Sequence, residues 1–285
     1  GKKLYHTQPR GLAVHWIAGN VDELGILSII QALITKNVSL IKAPSNYENL
    51  LEKQSNRLRD LVGSEFNDPF DIYFGPSGSD LVYYPLMFQG MLNPNKKLIN
   101  IVSCPEELGS GSGYASESRF YANYNQFGEK ITKGEFVDPK HISEVHYLDA
   151  RDKEGNILDR SRSVKEIINA NTDAAVVGSL VFGSKSGIKD DLDIIDPDDG
   201  TMWVVDLCQF RVDPKLIHEL LEKGVMIMLT GSKFFQAPPF CAAMLVPRKW
   251  SEELKQVEAS IIEPYGKLFS AYDVPWFMQN MREYL

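Results

Sequence analysis

What most constrains this chain is its alternation of short apolar runs with longer segments of helical spacing. Gly11-Leu-Ala-Val-His-Trp-Ile-Ala18 suits a buried strand and is closed by Gly19-Asn20. Asp22 can cap the helix that follows, in which Leu24, Ile26, Leu27, Ile29, Ile30, Leu33 and Ile34 cover a broad apolar face. Val38 to Ile41 is a second buried-type strand, which completes a β-α-β unit, the building block of a parallel sheet.

The alternation continues along the chain. Spacing predicts a helix from Tyr47 to Val62, stopped by Gly63, and another running from the turn at Pro76-Ser-Gly-Ser-Asp80 through Met87. Strands are predicted at 70–74, 97–102, 145–148, 174–180, 202–205, 225–229 and 242–246. The segment 120–138 has no clear period and reads as a long loop. Val164 to Asn169 forms the core of a helix, and 250–262 is helical in spacing. Asp213-Pro214 is a strong helix start, with aspartate as cap and proline at the first helical position, and Gly224 is the stop. The class expected is α/β with a mostly parallel sheet, whose ligands bind at the carboxyl ends of the strands.

Composition narrows the function. With 44% hydrophobic and 24% charged residues over 285 positions, the chain is ordinary globular protein of one large or two modest domains. A net charge of -8 gives no basic field for nucleic acid or an anionic membrane. Cys104, Cys208 and Cys241 are odd in number and lack C-x-x-C spacing, which argues against a disulfide framework or zinc site and for a reducing, cytoplasmic setting. No apolar stretch in the sequence reaches bilayer-spanning length, and no signal-type cleavage pattern follows the first apolar run.

The residues that can carry chemistry stand at predicted strand ends. Lys233 follows a buried strand beside Gly231 and Ser232 and before Phe234 and Phe235, which reads either as a part-apolar setting that favours a lysine's neutral amine and Schiff-base chemistry or as a solvated lysine at a strand end. Asp206 ends the preceding strand and can face the same crevice. A lysine for an aldehyde and an acid for a ring nitrogen are what pyridoxal phosphate requires, together with a phosphate cup such as Pro76-Ser-Gly-Ser-Asp80 offers. Gly183-Ser-Lys-Ser-Gly187 opens on the same edge, either to touch substrate or cofactor or as a plain loop. Glu106 and Glu107 read as a solvated turn rather than an acid pair, and His15 as a core histidine rather than a catalyst.

These residues resemble a known family. Val204-Val-Asp206-Leu-Cys-Gln209-Phe and Leu229-Thr-Gly-Ser-Lys233-Phe-Phe-Gln-Ala-Pro-Pro-Phe are similar to the aspartate strand and lysine loop of fold-type I, class V-like aminotransferase-family proteins. The resemblance runs from about residue 57 to the C-terminus. It implies a three-layer αβα large domain in which Lys233 forms the internal aldimine of pyridoxal 5'-phosphate and Asp206 pairs with the pyridine nitrogen. Gln209 would bond the phenolic oxygen, and Gly78, Ser79 and Ser232 would hold the phosphate. It further implies an amino-acid or amine substrate, aminotransferase or lyase chemistry, and a homodimer. The family's usual ring-stacking histidine is missing from Ser103-Cys-Pro-Glu-Glu-Leu-Gly109. Its C-terminal small domain is expected to be truncated, since the chain stops at Leu285 as that domain should begin.

The first residues resemble a different family. Arg10 to Asn20 with Leu33 to Ser45 is similar to the nucleotide-binding start of long-chain acyl-CoA reductases, relatives of the aldehyde dehydrogenases. That likeness implies an oxyanion-side role for Asn20 and an approach of Lys42 to a cofactor ribose, although Asp22 stands where proline is common. The division expected is therefore 1–53 as an acyl-CoA reductase-like segment and 54–285 as the pyridoxal-phosphate-binding large domain. The competing functions are an NADPH-dependent acyl-CoA or aldehyde reductase and a truncated, non-catalytic scaffold.

Overall fold

Structure is described for residues 12–16, 38–42, 70–233 and 242–285 of the computed structural model. β1 (Leu12–Trp16) and β2 (Val38–Lys42) pair in parallel, Leu12 against Val38 and Trp16 against Lys42. Parallel pairing is what a β-α-β unit requires, because a hairpin would reverse the second strand. The helix expected between them, and that expected over 47–62, lie outside the described residues.

The remaining strands build one seven-stranded sheet. β3 (Phe70–Gly75) leads into α1 (Gly78–Leu81) and α2 (Tyr83–Leu92), then β4 (Leu98–Ser103), α3 (Ser112–Ser116) and β5 (Ser143–Leu148). α4 (Ser161–Ala170), β6 (Ala175–Val181), β7 (Met202–Asp206), α5 (Pro214–Glu222) and β8 (Met226–Thr230) continue the alternation. β9 (Ala242–Pro247) passes directly into α6 (Arg248–Leu254), followed by a 3-10 segment (Ser260–Lys267) and α7 (Gln279–Arg282). The spatial order is β3-β9-β8-β7-β6-β4-β5. β9 is antiparallel to both neighbours and every other pairing is parallel, so all strands but β9 present their carboxyl ends at one edge. The sheet is mostly parallel, as expected. The reversal of β9 was not legible, because an apolar run carries no direction.

Both faces of the sheet are covered, and the strand period decides which side chain goes where. Along β7, Met202 and Val204 join the core containing Tyr84, Phe88 and Phe269, whereas Trp203 and Val205 join that of Ile217, Leu220 and Leu221 from α5. Each fully buried side chain of this size contributes roughly 1.5–3 kcal/mol. α5 starts as its sequence dictates. Asp213 accepts from the Lys215 amide at 3.0 Å, Pro214 opens the first turn, and the helix gives out before Gly224, whose φ is 79°.

The segment from Trp250 to Ile262 departs from its expectation as one helix. α6 stops at Leu254, and Asn280 Nδ2 donates to the carbonyls of Leu254 at 2.8 Å and Val257 at 3.0 Å. A side chain distant in sequence thus satisfies carbonyls that further turns of helix would have used. The residues beyond are drawn onto α2, where Phe269 stacks on Tyr84 with ring centroids 4.3 Å apart.

Candidate active site

Where β4, β6, β7 and β8 end, their loops diverge around a cleft. Ser77, Gly78 and Ser79 line it from the turn after β3, Glu107, Leu108, Gly109 and Ser112 from the segment after β4, and Gly183, Ser184 and Lys185 from the loop after β6. Asp206, Cys208 and Gln209 enter from β7, and Thr230, Ser232 and Lys233 from β8. The six residues singled out in the sequence, Gly78, Ser79, Asp206, Gln209, Ser232 and Lys233, therefore share one cleft.

Asp206 is the last residue of β7, half-buried, and accepts from the Cys208 amide at 2.7 Å. Withdrawal from water pushes its pKa up. The Cys208 amide and thiol oppose that rise, as do the positive charges of Lys233 and Lys185. The Cys208 thiol itself is held well above the usual range by burial and by the Asp206 charge, so it stays protonated, a donor rather than a nucleophile.

β8 delivers its loop by a local device. The hydroxyls of Thr230 and Ser232 lie 2.8 Å apart, and the Ser232 amide donates to Thr230 Oγ1 at 3.2 Å. This turn fixes the chain just before Lys233. Lys233 is exposed at the cleft. Phe234 to Cys241, which suggested a part-apolar setting, lie outside the described residues.

The turn after β3 is tightly packed. A Cβ on Gly78 would meet Cys208 Sγ at 3.0 Å, tighter than ordinary contact, so a larger residue here would need the Cys208 side chain to give by a few tenths of an ångström. Ser77 Oγ donates to Asp80 Oδ2 at 2.6 Å, and Tyr121 donates to Asp80 Oδ1 at 2.8 Å. Burial nevertheless pushes the Asp80 pKa up. Ser79 and Ser112 are joined through their hydroxyls at 3.0 Å. Part of the glycine-serine run 109–113 is thereby explained: a Cβ at Gly111 would meet the Tyr121 ring at 2.8 Å.

Several cleft residues escaped the sequence reading. Thr230 and Cys208 each stand two positions from a residue that was noticed, a weak but usable signal at a strand end. Glu107 was misread. Its side chain is only 7% exposed and meets Arg151 at 2.9 Å, so a solvated turn describes it wrongly. Glu106 parts from it, accepting from the Ala150 amide at 2.7 Å. Among the described residues lining the cleft there is no histidine, and Leu108 stands in the segment where a ring-stacking one was sought. The side chains of His15 and Lys42, and Asn20 altogether, lie outside what is described.

The sheet order, its mostly parallel pairing and its two covered faces define an architecture, the fold-type I α/β arrangement. Among solved structures, the chain is similar to the glutamate decarboxylase domain of diaminobutyrate-pyruvate transaminase and L-2,4-diaminobutyrate decarboxylase from Vibrio parahaemolyticus. That match has a TM-score of 0.51 at 14% identity and covers 92% of this chain and 56% of the other. Tryptophan decarboxylase of Catharanthus roseus, in complex with L-tryptophan, gives a TM-score of 0.51 at 12% identity, covering 84% and 54%. Such identities establish a shared fold, and the chain spans about half the length of these structures. Residues 2–62 match the family model for acyl-CoA reductase (LuxC). A stretch of 40 residues is 49% identical to the long-chain acyl-protein thioester reductase of Aliivibrio fischeri, 14% of this chain and 8% of that protein. Among the described residues, no helix is long and apolar enough to cross a membrane.

Proposed function

We propose that the seven-stranded unit is the cofactor-binding large domain of a pyridoxal 5'-phosphate enzyme acting on an amino acid or amine, as an aminotransferase or a lyase. The observation that carries this reading is the convergence of Lys233, Asp206, Gln209 and the Gly78-Ser79 turn, from three separate strand ends, on one cleft. When bound, the cofactor supplies an electron sink for the substrate's α-carbon. Lys233 Nζ is the amine that the cofactor's aldehyde would need, and as a free amine in the cleft it would take up and return the substrate's α-proton. Asp206 would hold a proton on the ring nitrogen. A cationic partner there would relieve the desolvated carboxylate that now has its pKa pushed up. Gln209 would donate to the phenolic oxygen, while Gly78, Ser79 and Ser232 would receive the phosphate. A homodimer and a cytoplasmic setting belong to the same reading, and sedimentation of the full chain tests the first.

The deciding experiment is incubation with pyridoxal phosphate, borohydride reduction and peptide mapping. The expected result is one phosphopyridoxyl adduct on the peptide carrying Lys233, absent in Lys233→Ala. Adducts scattered over surface lysines, or retained in that variant, overturn the assignment. The match of residues 2–62 favours a second reading, an NADPH-dependent acyl-CoA or aldehyde reductase. It requires NADPH binding that weakens in Lys42→Ala, and a wild-type chain without NADPH affinity removes it.

A further inference from the structure

Two cleft-lining loops are joined through the carboxylate of Glu107. The segment after β4 contributes Glu107, Leu108 and Gly109 to the cleft, and the loop after β6 contributes Gly183, Ser184 and Lys185. Their parent strands are neighbours, but the β4–β6 ladder runs only to Val102 against Ser179. Beyond it the two segments are no longer paired as strands, at the edge where ligands bind in sheets of this kind. Side chains take over where the ladder stops. Glu107 Oε1 accepts from Arg151 Nη1 at 2.9 Å and from Ser186 Oγ at 2.6 Å, and Oε2 accepts from the Ser186 amide at 3.1 Å. Arg151 Nη2 donates to Ser186 Oγ at 2.8 Å, and Lys185 Nζ donates to the Leu108 carbonyl at 2.8 Å.

We propose that Glu107 is a positioning residue for the cofactor cleft: its carboxylate clasps the β6 loop to the β4 segment, so that Leu108 and Lys185 face a bound cofactor in a fixed arrangement. This rests on the pyridoxal-phosphate reading above. Charge-assisted hydrogen bonds are about twice as strong as neutral ones, and here they converge on one half-buried carboxylate. The clasp stands among the cleft's own lining, since Glu107, Leu108 and Lys185 all border it. It also sets where the Lys185 charge stands, one of the two lysine charges that favour ionised Asp206.

The test uses the full chain and the near-isosteric Glu107→Gln. In that variant one oxygen becomes an amino group, which repels Arg151 or the Ser186 donors. Two readouts separate positioning from general support. Amide hydrogen exchange over 183–188 should quicken about tenfold while that of β4 and β6 holds. Apparent pyridoxal phosphate affinity should fall about tenfold, the lower end of the effect of losing an outer-shell partner, with a weaker visible circular dichroism band of the bound cofactor. If Glu107→Gln loosens every strand, Ser186→Ala carries the same comparison, with a smaller change in the same direction. A wild-type chain that takes up no pyridoxal phosphate overturns the cofactor reading and this role with it. Normal uptake by wild type, with unchanged affinity and dichroism in both variants, overturns the clasp alone.

Discussion

Asp206 sits where two demands on a carboxylate meet. Its pKa is pushed up by loss of water, so the folded state without cofactor holds its proton more tightly than the unfolded chain does. The stability linked to that proton is complete below the unfolded value of about 4 and is lost as pH rises through the folded value. Asp206→Asn removes the titration. The cofactor-free variant should therefore melt at a higher temperature than wild type at pH 7, with the gap closing towards pH 4. Catalysis should move the other way: adduct formation at Lys233 persists, while turnover falls by about 100-fold or more, the scale set by removal of one preorganised electrostatic group. Melting curves at the two pH values and an activity assay check both arms. A variant that melts below wild type at pH 7 would show the carboxylate to be a net stabiliser.

Secondary structure was legible wherever a local rule was strong. The strands ending in Asp206 and Thr230 announced themselves as apolar runs between turn residues, because strands buried on both faces cannot alternate with polar positions. α5 announced itself through Asp213, Pro214 and Gly224. Such a cap is a separable contribution: Asp213→Ala should cost about 1 kcal/mol of stability, read from the urea midpoint at unchanged slope. What could not be read was long-range. The direction of β9 and the early end of α6, fixed by Asn280, depend on partners far away in sequence. Glu107 was misjudged for the same reason. Glutamate in a turn is usually solvated, and only the folded chain brings Arg151 and Ser186 to it.

At the scale of the whole molecule, the sequence offered the cleft as a set of strand-end residues rather than as a shape. Lys233, Asp206 and Gly78 could be named because strand ends in such a sheet share one edge, whereas its other lining depended on packing that the sequence leaves implicit. A ligand that binds only the folded cleft must stabilise the chain by mass action, about 2.7 kcal/mol at one hundred times its dissociation constant. Pyridoxal phosphate at saturating concentration should thus raise the melting temperature of wild type. Lys233→Ala should match wild type without cofactor, because an exposed lysine contributes little to the fold, and should lose most of the shift. The cofactor-free comparison matters as much as the shift. An equal melting temperature locates the lost stabilisation in the bond to Lys233, whereas a variant already weakened without cofactor would make Lys233 part of the scaffold.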